Sequence, residues 1–187
     1  YHLNGNWNEW QRLEWKFRIP KGFQPTTKFC HLHQLKAQEG NNGAPLITIS
    51  TRCDKDGGNK RVQVIHTGDT RTSGKGVIID NLPLADFEDE WIQVETEMHY
   101  THHGTFRIKL TRISDGKVLA DQSFADVDLW RKGATSIRNK FGIYRSLGRK
   151  MQSASDRPDN GLKDESLQLA DFKVYEAHTN PNPQPHD

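Results

Sequence analysis

The sequence predicts an all-β fold, a sandwich or jelly roll of two antiparallel sheets with a concave cleft, on three observations. Apolar and polar residues alternate with a period of two in most segments. Gly-, Asn-, Asp- and Pro-rich turn signals separate those segments at short intervals. No helical period longer than a few turns occurs. With 187 residues the chain is long enough for one domain with a sizeable core and too short for two comfortable ones. That domain is placed at 1–177, and the Pro/Asn-rich residues 178–187 read as a tail without structure.

The elements follow in order. Asn4-Gly5-Asn6 reads as a turn. Residues 11–19 form a half-buried strand, with Leu13, Trp15, Phe17 and Ile19 on one face and Arg12, Glu14, Lys16 and Arg18 on the other. Strands are predicted at 28–37, 45–53 and 61–66, the last two joined by a hairpin over Asp54-Lys55-Asp56-Gly57-Gly58-Asn59. A short strand at 77–79 precedes an acidic stretch, 82–90, containing Pro83. Strands at 91–100 and 105–113 flank the tip Thr101-His102-His103-Gly104, and 118–124 returns after Ser114-Asp115-Gly116-Lys117. A short helix or turn is expected at 126–132, a strand at 139–146, a long exposed loop at 147–163 and a closing strand at 165–175.

Composition narrows the function classes. The formal net charge is only +2, which excludes the bulk cationic footprint of a nucleic-acid binder. No apolar run is long enough to span a membrane. The two cysteines, Cys30 and Cys53, exclude a Cys-rich zinc site; a bridge between adjacent strands and two buried thiols are both compatible with their spacing. No ligand cluster implies a metal. Residues 54–59 resemble only the start of a calcium loop and lack its later acids. No cofactor is required on this reading, and a structural calcium held by loop carboxylates stays open.

The most informative stretch is the polar strand Lys28-Phe29-Cys30-His31-Leu32-His33-Gln34-Leu35-Lys36-Ala37. Two imidazoles, an amide and an ammonium crowd into six residues, which a strand serving only a core would not need. The second is Asn139-Lys140-Phe141-Gly142-Ile143-Tyr144-Arg145-Ser146. Alternation there places Lys140, Gly142 and Tyr144 on one face, and the glycine leaves room above the sheet for a ligand.

These residues carry a resemblance. Lys140-Phe141-Gly142-Ile143-Tyr144-Arg145 resembles the Tyr-bearing late strand, Lys-x-Gly-x-Tyr, of the jelly-roll (concanavalin A-like) polysaccharide lyases, the alginate lyase and glucuronan lyase group. His33-Gln34-Leu35-Lys36 is similar to that group's Gln-Ile-His strand, with Lys36 where the His would stand. Arg12-Leu13-Glu14 resembles the early Arg-x-Glu strand, and Leu169-Ala170-Asp171-Phe172-Lys173-Val174-Tyr175 the closing strand.

The resemblance implies β-elimination on a uronate-containing polymer, in which Gln34 and cationic side chains neutralise the carboxylate. The base is His31 or His33 turned to the cleft by a bulge, or His66 on a nearby strand, or the phenolate of Tyr144. An unperturbed phenol titrates near pH ~10, so nearby Lys140, Arg12 or Lys36 would help it ionise. Arg12, Lys36, His66, Tyr100, Lys140 and Arg145 are the expected substrate contacts. The resemblance also implies a secreted, monomeric protein whose partner is an anionic polysaccharide, with no nucleic-acid or membrane partner. Two other readings compete. A carbohydrate-binding module would use Trp7, Trp10, Trp15 and Tyr100 as stacking platforms. A hydrolase would use Asp86, Glu88 and Glu90 as paired acids.

Overall fold

The computed structural model describes residues 4–147 and 162–179. Their strands are β1 (Asn4–Gly5), β2 (Trp10–Arg18), β3 (Cys30–Gln38), β4 (Ile47–Arg52), β5 (Arg61–His66), β6 (Gly76–Pro83), β7 (Ile92–His99), β8 (Gly104–Arg112), β9 (Val118–Val127), β10 (Ser136–Arg145) and β11 (Gln168–Ala177). They form two antiparallel sheets, one ordered β1-β10-β3-β4-β5-β6 and the other β11-β2-β7-β8-β9. The late strands β10 and β11 close against the early strands β3 and β2, which makes the sandwich a jelly roll and brings residues more than a hundred positions apart side by side.

Alternation decides which side chains meet between the sheets. Leu13, Trp15 and Phe17 of β2, Ile92, Val94 and Met98 of β7, and Phe106, Ile108 and Leu110 of β8 face the core from one side. Leu32, Leu35, Ile47, Ile49, Val62, Val64 and Ile137 face it from the other. The outer face of the five-stranded sheet is a solvated ladder of ion pairs. Arg12 meets Glu14 at 2.6 Å and Glu95 at 3.4 Å, and Arg107 meets Asp121 at 3.0 Å. Such exposed pairs each contribute about 0–1 kcal/mol, so they mark a water-facing surface and do not hold the fold together.

Three expectations change and one open choice is decided. Asn4-Gly5 is a short strand on β10, and Gly5 is required there because a Cβ would lie 1.9 Å from the Tyr100 ring. The strand expected at 77–79 extends over all of β6. Of the helix or turn expected at 126–132 no helix forms: β9 runs to Val127, residues 128–131 lack regular structure and a turn begins at Lys132. Arg131 pins this segment by donating to the carbonyls of Ala44, Pro45 and Thr67. Cys30 and Cys53 are free and buried, and burial pushes both thiols up. Of the loop expected at 147–163 and the tail at 178–187, residues 148–161 and 180–187 lie outside the described residues.

One polar network sits inside the core. His33 packs against Trp15 and Phe141, and its Nε2–H donates to Asn139 Oδ1 at 3.0 Å. Asn139 Nδ2 and the Tyr100 hydroxyl both donate to Gln11 Oε1, at 3.1 and 2.8 Å. Burial pushes the His33 pKa down to about 4. The unfolded chain, with histidines near 6.5, therefore binds more protons than the folded one between pH 6.5 and 4, so stability falls as pH drops through that window. For His33 the loss is about 3 kcal/mol. The depressed pKa values of His31, His66 and His99 act in the same direction. Denaturant titrations are expected to show unfolding free energy decreasing from pH 7 to 4.5, with the slope reduced in His33→Gln. A flat profile would contradict the neutral buried imidazole.

Candidate functional site

The outer face of the six-stranded sheet is the candidate site, and two bulges create it. Across β3 and β4, His31 pairs with Ser50 and His33 with Ile49, so Leu32 is an extra residue. Across β3 and β10, His33 pairs with Phe141 and His31 with Tyr144, so β10 carries one more residue still, at Gly142-Ile143. Gly142 sits at φ 125°, a conformation open to glycine and not to side-chain-bearing residues. A bulge shifts the period-two alternation by one. His31 and Gln34, three apart, thereby share the outer face, while Leu32 and His33 both turn inward.

The face reads as rows across the strands. One row is Lys140, Gln34, Thr48 and Ile65; the next is Tyr144, His31, Ser50 and Gln63. Its floor is polar yet closed: Gln34, Thr48, Ser50 and Gln63 are all buried, Ser50 completely. Tyr144 stands out of it, 58% exposed. Its ring lies 6.1 Å from His31 and 5.3 Å from Phe29, and Phe29 stacks on His31 at 4.9 Å. His31 Nδ1 lies 2.6 Å from Ser50 Oγ, which donates in turn to Thr48 Oγ1 at 3.0 Å. Burial, with the Arg52 guanidinium adding to it, pushes the His31 pKa down to about 4, so the ring is neutral at pH 7.

The face is cationic. Partial burial first, then Lys140, Arg138 and Arg131, pull the Lys36 ammonium below its usual range. Among the described residues no carboxylate lies within ion-pair distance of Lys36, Lys140, Arg138 or Arg52. Only Arg61, at the far edge, is matched, by Asp54 at 2.9 Å and Asp80 at 3.5 Å. Like charges held together without counterions favour an anionic ligand.

Of the sequence-predicted residues, His31, Gln34, Lys36, Lys140 and Tyr144 come together here. Five do not. His33 is sealed in the core on Asn139 because the bulge turns it inward. Tyr100 is fully buried with its hydroxyl on Gln11, and burial pushes its phenol up. His66 faces inward beside Ile47, and both its nitrogens are engaged: Nε2–H donates to the Asp128 carbonyl at 2.9 Å and Nδ1 accepts from the Lys75 amide at 3.0 Å. Arg12 lies on the outer face of the other sheet, among Glu14, Glu95 and the Tyr175 ring. Arg145 pairs with the inward-facing Cys30 and donates to the carbonyls of Gln24 and Lys163.

The competing site residues are also dispersed. Trp15 is core, Trp10 stacks on His99 at 4.2 Å on the outer face of the other sheet, and Trp7 sits against Trp130 and His102. Asp86 is held by Arg112 at 3.0 Å and Lys117 at 3.3 Å. His102 and His103 are tied to Asp128 and Asp126, and no group of three or more potential metal ligands occurs among the described residues. Sequence reasoning missed Ser50, Thr48 and Arg52. Their only signal is polar alternation within Ile47-Thr48-Ile49-Ser50-Thr51-Arg52.

No protein-family model matches the chain, and no curated protein matches it either. Solved structures do. An alginate lyase from Pseudomonas aeruginosa superposes with a TM-score of 0.52 at 15% identity, over 92% of this chain and 68% of that one. A family 7 alginate lyase in complex with substrate gives 0.57 at 8% identity, over 96% and 66%. An alginate lyase from Klebsiella pneumoniae gives 0.52 at 15% identity, over 92% and 61%. The chain thus spans about two thirds of the length of these proteins. The two-sheet sandwich and its strand connections are the jelly-roll fold that the alginate lyases share.

Proposed function

We propose that the protein is a polysaccharide lyase that cleaves a uronate-containing polymer, of alginate or glucuronan type, by β-elimination on the concave face. The observation that carries this reading is the cross-strand pairing of His31 with Tyr144, beside Gln34 and cations that lack carboxylate partners. The likeness in fold to alginate lyases supports it.

The chemistry can be assigned to named groups. The hydrogen on the carbon next to a uronate carboxylate is weakly acidic while the carboxylate is charged. The Gln34 amide, with Lys140 and Arg52, neutralises that charge and stabilises the enolate-like intermediate. His31, neutral at pH 7, takes the C5 proton; the electron pair of the C–H bond forms the C4–C5 double bond as the C4–O bond breaks. Tyr144 gives its phenolic proton to the leaving oxygen. The products are a new non-reducing end bearing an unsaturated uronate and a free hydroxyl end on the departing chain. Binding extends along the cations Lys36, Arg138 and Lys140, which would meet the acid groups of neighbouring sugars. A secreted location and a monomeric state accord with a polymeric external substrate and belong to the same proposal.

Incubation with alginate, glucuronan and related polymers is expected to generate the ultraviolet chromophore of an unsaturated uronate, which neither a hydrolase nor a lectin makes. Tyr144→Phe should lower the rate by about 10²-fold or more while polymer binding, measured by affinity electrophoresis, persists. Unchanged turnover in that variant would remove Tyr144 from the reaction. A Cβ at Gly142 would meet no atom within 4 Å, so Gly142→Ala acts through its positive φ alone. It should cost about 1–3 kcal/mol in unfolding experiments and depress turnover further than KM, because relaxing the bulge moves Tyr144. Wild-type turnover in a destabilised Gly142→Ala would show that the bulge serves only the fold.

A further inference from the structure

Three histidines of the six-stranded sheet are buried, and their hydrogen bonds select different tautomers. His66 and His33 each present Nε2 to an acceptor that carries no proton, the Asp128 carbonyl and the Asn139 side-chain oxygen, so both are Nε2–H rings. His31 is different. Its Nδ1 faces Ser50 Oγ at 2.6 Å, and the proton of Ser50 is already committed to Thr48 Oγ1 at 3.0 Å. An oxygen whose own proton points elsewhere can only accept, so Nδ1 carries the hydrogen. The remaining nitrogen, Nε2, makes no hydrogen bond among the described residues. It is also absent from the polar atoms sealed without a partner, whereas His33 Nδ1 is among them.

The source of this arrangement lies in β4. Alternation places Thr48 and Ser50 on the same outer face, directly behind Gln34 and His31. Both hydroxyls are buried, Ser50 fully, so water does not compete for them. The groups around the His31 ring are Phe29 from the residue just before β3, Tyr144 from β10 and Arg52 from β4. Among the described residues no carboxylate is paired with the ring. A carboxylate partner would raise the basicity of the imidazole and hold the cation that forms. A hydroxyl pair orients the ring without adding negative charge, which suits a cleft that must admit an anionic sugar.

Resting on the elimination reading above, we infer that Ser50 is a positioning residue which, backed by Thr48, fixes His31 as the Nδ1–H tautomer and keeps the Nε2 lone pair free to take the substrate proton. Ser50 itself touches no substrate. Its effect passes through the orientation and protonation site of the ring, as the partner of the second imidazole nitrogen generally decides which nitrogen is reactive.

Nitrogen-15 correlation spectra of the full chain at pH 7 test this directly, with the His31 signals assigned by their loss in His31→Gln. The wild-type ring is expected to show a protonated, pyrrole-type Nδ1 and an unprotonated, pyridine-type Nε2. Thr48→Val keeps Ser50 but removes the acceptor of its proton, and should shift the ring toward the Nε2–H form. Ser50→Ala should mix the tautomers and lower kcat by about tenfold with KM little changed, and Ser50→Thr should restore both signals. A wild-type Nε2–H tautomer together with lyase activity would overturn the role of Ser50 and leave the elimination chemistry standing. The Nδ1–H tautomer in a protein that yields no unsaturated product from any uronate polymer would overturn His31 as a base while the Ser50 contact stands.

Discussion

The concave face depends on a pair of opposed bulges in neighbouring strands. A regular strand offers alternate residues to alternate faces, so in an unbroken β3 His31 and Gln34 would face opposite ways. The extra residue at Leu32 cancels that parity. The second bulge, at Gly142-Ile143, lets β10 stay paired with β3 on both sides of the irregularity and brings Tyr144 across from His31. The positive φ of Gly142 makes this affordable in conformational terms. Without the two irregularities the sandwich would still close, since its core is held by the regular parts of the strands, but amide, imidazole and phenol would not share one surface.

The same geometry explains why the remaining polar residues are quiet. A buried polar group must find a partner, and it is then unavailable for other work. His33, Asn139, Gln11 and Tyr100 satisfy most of one another inside the core. His66 spends both nitrogens on backbone groups, Nε2 on the Asp128 carbonyl just after β9 and Nδ1 on the Lys75 amide just before β6. Arg131 does the same with three carbonyls. On the outer face of the five-stranded sheet Arg12, Lys16, Arg18, Arg107 and Lys173 each have a carboxylate within ion-pair distance. The cluster of Lys36, Lys140, Arg138 and Arg52 on the concave face has no carboxylate partner among the described residues, and four unmatched cations gathered on one surface separate the candidate site from an ordinary polar surface.

The fold was legible because most strands alternate cleanly, β2 above all, where Leu13, Trp15 and Phe17 turn inward as the pattern requires. Gln34 and Lys140 were legible because plain alternation places them, and Tyr144 because the two residues between Phe141 and Tyr144 keep it on the same face as Lys140 despite the register shift. The choice between His31 and His33 was not, since a bulge inverts parity and leaves no mark in the hydrophobic pattern. Arg12 misled for another reason. Its alternation is read correctly, but nothing local says which sheet a strand joins, and β2 pairs with β7 and β11, away from β3. Ser50 and Thr48 look like ordinary strand residues; their meaning appears only when β4 is laid beside His31.

The most direct measurement is a crystal structure of an inactive Tyr144 variant with a uronate oligosaccharide bound. The account requires one sugar ring to span His31 and position 144, with its carboxylate on Gln34 and its C5 hydrogen directed at His31 Nε2. An oligosaccharide seated instead beside Trp7, or on the outer face of the five-stranded sheet, with the concave face empty, would contradict it.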